Sequence, residues 1–170
     1  MKPFLNIIPA VKNINVNGKD ITIPKLGFRQ MKLLRDMKGL DECMVGLLDS
    51  IRPGLTAAEA DMVILHLLAF NKKIKTVETV GGLEIDIDKA YFCAKYEFEL
   101  DGKIFKFKPP MLTDKFTSKL DILQKQYIGE HDFGEMPAFV LDWADAIVST
   151  IALDTPVGTV YGGANIIGEI

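Results

Sequence analysis

The sequence predicts an α+β fold: an N-terminal β-hairpin, a helical core, a small antiparallel β segment, two C-terminal helices and an extended tail. Three observations predict it. Asn17-Gly18 and Asp101-Gly102 each interrupt alternating apolar and polar residues, and such pairs supply the positive φ of a two-residue hairpin turn. Between them, residues 28–70 carry apolar side chains at helical spacing instead of alternation. The chain has 170 residues, 48% hydrophobic and 25% charged, enough apolar surface for a packed core, which excludes wholesale disorder.

Residues 12–23 read as the first hairpin. A turn centred on Asn17-Gly18 pairs Val16 with Lys19, Ile14 with Ile21 and Lys12 with Ile23. Val16, Ile14, Ile21 and Ile23 then share one face and Asn13, Asn15, Asp20 and Thr22 the other. Pro24 ends the second strand, because it cannot donate to a ladder.

Helical patterning follows. Phe28, Met31, Leu34 and Met37 recur at helical spacing and Gly39 stops them. A second helix fits Leu40–Ile51, with Cys43, Met44, Leu47, Leu48 and Ile51 inward and Arg52-Pro53-Gly54 as its end. Thr56-Ala-Ala-Glu59 is a capping box opening a third helix through about Phe70. Its interior is apolar almost all round, so it is the expected central helix.

Residues 73–108 switch to a period of two. Asp101-Gly102 pairs Glu97 with Lys106 and Phe98 with Phe105, giving one aromatic and one charged face. Lys73–Val80 and Leu83–Ile87 flank Gly81-Gly82 as a further hairpin, and Pro109-Pro110 closes the sheet. Two helices are expected next. Thr113–Tyr127 carries Phe116, Leu120, Leu123 and Tyr127 on one side; Met136–Leu153 repeats Val140, Trp143, Ile147 and Ile151 at intervals of three and four. Residues 1–153 therefore read as a single α+β domain with a hairpin arm. Residues 154–170 read as an extended Gly-rich tail whose apolar side chains, Val157, Val160, Tyr161, Ile166, Ile167 and Ile170, are the candidate partner-binding residues. Such a tail either adds a strand to a neighbour's sheet or lies back on its own domain.

Charge is split along the chain. Residues 1–40 hold eight Lys or Arg against two acids; residues 130–170 hold seven acids and no Lys or Arg. Opposite ends of this kind steer association with a neighbour, or neutralise each other within one molecule. The basic residues form no dense stripe and lack interleaved aromatics, which argues against nucleic acid. Acidic or basic residues break every apolar stretch short of the ~18 residues of a membrane span, and the N-terminus lacks the roughly 7–15-residue apolar core of a signal peptide. Cys43 and Cys93 are too few for a disulfide framework and fit a reducing compartment.

The chemistry search is mostly negative. No phosphate-binding glycine loop, nucleophile elbow or His-Glu-x-x-His occurs. His66 lies among leucines and reads as a hydrogen-bonded core or interface residue; His131 lies in a turn-like stretch. Pairing Cys43 or Cys93 with His66 would make a nucleophile, but nothing in the sequence orients it. Cys93-Ala-Lys-Tyr96 has the spacing of half a zinc knuckle without its second thiol. Glu84, Asp86 and Asp88 alternate, as a Ca²⁺ site or a solvated strand face would. Asp132 and Glu135 flank a turn without a specific pattern. No cofactor or metal is expected.

The order of these elements resembles a known family. The segments that carry it are Gly18-Lys19-Asp20-Ile21-Thr22-Ile23-Pro24, Met31-Lys32-Leu33-Leu34, Leu55-Thr56-Ala57-Ala58-Glu59-Ala60-Asp61, and Tyr91-Phe92-Cys93-Ala94-Lys95-Tyr96 through Pro109-Pro110. Over roughly residues 15–128 the chain is similar to the T4-type bacteriophage baseplate hub-assembly family of contractile tails. The resemblance implies a non-enzymatic protein of the virion tail baseplate, made in the host cytoplasm, in contact with other tail or baseplate proteins or with copies of itself. Two other readings remain: a transient assembly chaperone absent from the mature virion, and a small cytoplasmic enzyme using Cys93 or His66.

Overall fold

The computed structural model describes residues 11–27, 42–71, 77–80, 83–156 and 158–169. The expected helix over Phe28–Lys38, the side chain of Cys43, and Val157 and Ile170 lie outside them.

The first hairpin forms in the expected register. Strands β1 (Val11–Val16) and β2 (Lys19–Pro24) pair Val16 with Lys19 and Ile14 with Ile21 around Asn17 and Gly18, both at positive φ. Its apolar face is not an arm. Val16, Ile21 and Ile23 are buried in the principal core with Leu48 of α1 (Glu42–Ile51) and the inward side chains of α2 (Ala57–Phe70). Burial of that many aliphatic side chains outweighs the cost of ordering the hairpin against the helix.

Helix α2 is the central helix, and its capping box is complete. Thr56 Oγ1 accepts from the Glu59 N–H at 3.2 Å, and Glu59 Oε1 accepts from the Thr56 N–H at 2.9 Å. Glu59 is 2% exposed and its Oε1 also takes the Lys19 ammonium at 2.8 Å, so the helix cap doubles as the anchor of the hairpin. At the other end the Asn71 side chain donates to Leu67 O and Pro24 O and accepts from the Leu26 N–H, tying the helix end to the chain leaving β2.

Strands β3 (Val77–Val80) and β4 (Leu83–Asp86) pair antiparallel with Val80 opposite Leu83, and a 3-10 turn, Ile87–Lys89, follows. Asp86 caps that turn by accepting from the Asp88 N–H. The alternation of Glu84, Asp86 and Asp88 therefore ends at Asp86 and does not continue as one strand face. The second NG-type turn also holds: β6 (Glu97–Leu100) and β7 (Lys103–Lys106) pair Glu97 with Lys106 and Phe98 with Phe105.

Behind that hairpin lies a second core of aromatic side chains. Phe98 stacks on Trp143 with ring centroids 4.9 Å apart, and Phe105, Phe107 and Phe133 complete the cluster. The helices under it are shorter than expected. Helix α3 spans Lys119–Gln126, because Ser118 accepts from the Asp121 N–H and sets the start there. Its phase turns Ile122, Leu123 and Gln126 inward and leaves Leu120 exposed.

The expected Met136–Leu153 helix is three elements. Pro137 opens a 3-10 turn over Ala138–Leu141, helix α4 covers Asp142–Val148, and β8 (Ile151–Thr155) follows. Ser149 is extended, its N–H and Oγ both satisfied by Asp145 O, and the β-branched Val148, Thr150 and Ile151 around it favour the strand. Val140, Trp143, Ile147 and Ile151 are all buried, but Ile151 lies in the principal core and the other three in the aromatic one.

The extended-tail expectation is corrected in the same region. Strand β9 (Gly158–Tyr161) folds back on β8, and helix α5 (Gly163–Glu169) packs on α2, with Ile166 fully buried. β5 (Tyr91–Phe92) completes a three-stranded antiparallel sheet in the order β5-β8-β9. No helix among the described residues is long and apolar enough to cross a membrane.

Candidate functional site

The C-terminal sheet has two faces of opposite character. On the inner face Phe92, Ile151, Leu153 and Val160 pack into the principal core. On the outer face, directly opposed residues share a side, so Tyr91, Ala152 and Tyr161 form one cross-strand row and Asp154 with Thr159 the next. Ala152 is fully buried, while Tyr91 and Tyr161 on either side of it are 42% and 60% exposed. The Tyr91 hydroxyl donates to Asp154 Oδ1 at 3.1 Å and the Thr159 hydroxyl to the same oxygen at 2.8 Å. The bond to Asp154 pushes the Tyr91 hydroxyl above the usual tyrosine range.

One buried carboxylate locks the segment behind this face. Asp61 of α2 accepts from the Thr150 hydroxyl at 2.6 Å, just before β8, and from the Gly163 N–H at 3.3 Å, at the start of α5. Burial raises its pKa; the two donors only partly offset that. Glycine eases the contact, since a Cβ on Gly163 would lie 3.1 Å from Asp61 Cγ, a few tenths of an ångström inside ordinary van der Waals distance.

Of the four candidate partner-binding residues that the structure describes, Tyr161 alone is well exposed. Ile166 is in the core, and Val160 and Ile167 are half-buried against it. Val157 and Ile170 lie outside the described residues. Sequence reasoning missed Tyr91 and Asp154, which meet Tyr161 only through the pairing of β5 with β8.

The candidate nucleophile pair is not assembled. Cys93 lies beside β8, its N–H bonded to Thr150 O at 3.1 Å, and burial pushes its thiol up, away from the thiolate a nucleophile needs. His66 faces β1 and the 3-10 turn instead. Its Nδ1 is buried without a hydrogen bond, against the expectation of a satisfied core histidine, and Asp88 Oδ1 stands 3.7 Å away. Burial and then the Lys12 charge lower its pKa, with Asp88 opposing them, so the ring is neutral near pH 7. His131 packs among Phe105, Tyr127 and Phe133, and Asp132 caps the 3-10 turn Phe133–Glu135 through the Gly134 N–H.

A protein of this construction displays a surface and holds it rigidly. Known proteins give the class: it is a bacteriophage baseplate hub subunit, a protein of tail assembly. The chain belongs to the baseplate hub distal subunit family, which matches residues 23–170. It is 41% identical over 172 residues to the baseplate hub assembly protein gp28 of Enterobacteria phage T4, covering 96% of this chain and 97% of that one. The likeness thus runs through the acidic C-terminal region, beyond the residue-128 limit read from the sequence. No solved structure matches the chain.

Proposed function

We propose that the chain is a resident, non-enzymatic hub subunit that works by contact with other baseplate or tail proteins after synthesis in the host cytoplasm. The observation that supports this reading best is the C-terminal sheet. A core-locked segment ending in an exposed Tyr-Asp-Tyr face is a rigid presentation surface, and aromatic side chains on such a face are typical of interface anchors. The raised Cys93 thiol and the separate setting of His66 weigh against the enzyme reading. Tyr161 remains the proposed partner-binding residue among the six C-terminal candidates, and contacts between copies of the chain are part of the same proposal.

Quantitative mass spectrometry of purified phage particles tests it. A resident subunit is present at a fixed ratio to other baseplate proteins. Particles that are infective yet lack the chain would show a transient chaperone instead.

A further inference from the structure

The ring of His66 stands where the central helix α2 meets β1 and the 3-10 turn Ile87–Lys89, and its Nδ1 is buried with no hydrogen bond among the described residues. A buried nitrogen left in that state is uncommon and calls for a physical reason. Asp88 supplies one. Its Oδ1 lies 3.7 Å from His66 Nδ1 and 3.8 Å from Lys12 Nζ of β1, too far from either for a hydrogen bond. One carboxylate oxygen thus stands between a histidine and an ammonium, within reach of both and bonded to neither. The Asp88 side chain is 53% exposed and takes no hydrogen bond among the described residues, so it has room to turn either way.

Lys12 and Asp88 are the charges that act on the ring. Other charged side chains on the elements packed against α2 are engaged elsewhere: Lys19 with Glu59, Asp20 with Asn15, Asp61 with Thr150 and Gly163, and Asp154 with Tyr91 and Thr159. Lys89 of the same 3-10 turn is exposed. The first hairpin is held at its turn by Lys19 on Glu59, at the end of β2 by Asn71 on Pro24 O, and at the start of β1 by Lys12 beside Asp88. His66 stands beside the last of these. The 3.7 Å gap fits a neutral ring with its proton on Nε2, whose Nδ1 lone pair repels the carboxylate and leaves it to Lys12. A proton on Nδ1 reverses this, because the ring becomes both a donor and a cation in a less screened place than the Lys12 ammonium.

We propose that Asp88 exchanges partners with pH: it stays with Lys12 while His66 is neutral and moves onto Nδ1 when acid protonates the ring. Acid thereby shifts the anchor of the 3-10 turn from the hairpin to the central helix and frees the start of β1. Burial and then Lys12 hold the ring's pKa below the ordinary histidine value and Asp88 opposes them, so the exchange falls on the acid side of that value. The unfolded chain takes up the proton first as pH falls, so stability is lost below the ordinary histidine value as well. This device belongs to the folded chain and stands whether or not the chain stays in the particle.

The test is an NMR titration of the full, isotope-labelled chain from about pH 8 to about pH 5, the interval in which histidine changes charge. Loss of a ring resonance in His66→Gln assigns the signal. The His66 ring and the Asp88 carboxyl carbon should shift together with one midpoint. Protection of the β1 amides against hydrogen exchange should fall across the same interval. Asp88→Asn should lower the midpoint by about half a pH unit and Lys12→Met should raise it by a similar amount, the scale of a half-exposed ion pair. Both variants alter side chains with a third or more of their surface in water, 34% for Lys12 and 53% for Asp88, so the fold should survive them, as melting at pH 7 checks. A midpoint that Asp88→Asn leaves unchanged or raises would overturn the proposal. So would an Asp88 carboxyl blind to the histidine titration, or β1 protection that stays constant through it.

Discussion

Ile166→Ala measures how firmly the C-terminal segment belongs to the fold. Ile166 is 0% exposed and lies in the principal core, on a helix of seven residues packed against α2. The substitution removes three carbons, worth ~0.8 kcal/mol each by transfer, and adds a cavity term. A short terminal helix settles partly into the space, so the loss falls in the lower half of the usual range, about 2–3 kcal/mol. For a chain of this size that is a fall of roughly 5–10 °C in Tm. Urea unfolding with an unchanged m-value is the assay, and Tyr161→Ala is the control, since a side chain 60% exposed should cost less than ~0.5 kcal/mol. Equal, near-zero losses for both variants would show that the segment is a detachable tail and refute the reasoning.

Other perturbations separate the remaining contacts. Trp143→Ala should cost about 3–5 kcal/mol, because the ring is 9% exposed and stacked on Phe98 in the aromatic core; a red-shifted, easily quenched emission from the intact protein would contradict this. Asp61→Asn keeps an oxygen for the Thr150 and Gly163 donors and removes a buried charge, so chemical denaturation should find it neutral or stabilising at pH 7. Asp61→Ala orphans both donors and should lose about 1–3 kcal/mol. Asp61 has a raised folded pKa, so its charge opposes folding as pH rises above the ordinary Asp range, and the advantage of Asp61→Asn should disappear at acid pH. Glu59 runs the other way. Burial raises its pKa, but the Lys19 and Thr56 bonds outweigh that and leave it lowered. Its contribution is therefore full above the ordinary Glu value and is lost as pH falls through the folded one; a stability–pH profile of Glu59→Gln should be flatter than wild type below about pH 4.5.

Local chemistry was legible and long-range pairing was not. Asn17-Gly18 and Asp101-Gly102 set both registers, since a two-residue turn at positive φ leaves one way to pair the strands. The Thr56–Glu59 box marked the start of α2 to the residue. The helical spacing from Val140 to Ile151 misled because it spans a 3-10 turn, a helix and a strand, whose buried side chains keep that spacing by coincidence. In the C-terminal region glycine suggested looseness, whereas Gly158 and Gly162 adopt positive φ and Gly163 makes room for Asp61. The candidate surface was half visible. Tyr161 stands out in an apolar segment, but Tyr91 and Asp154 join it across 63 residues, and no local pattern in one sequence announces the pairing of β5 with β8.

Cryo-EM of purified baseplates tests the central claim most directly. The account predicts density for this fold at the hub, with the Tyr91–Asp154–Tyr161 face covered by another protein chain. A hub in which no density fits the fold, or one in which that face looks into solvent, would contradict it.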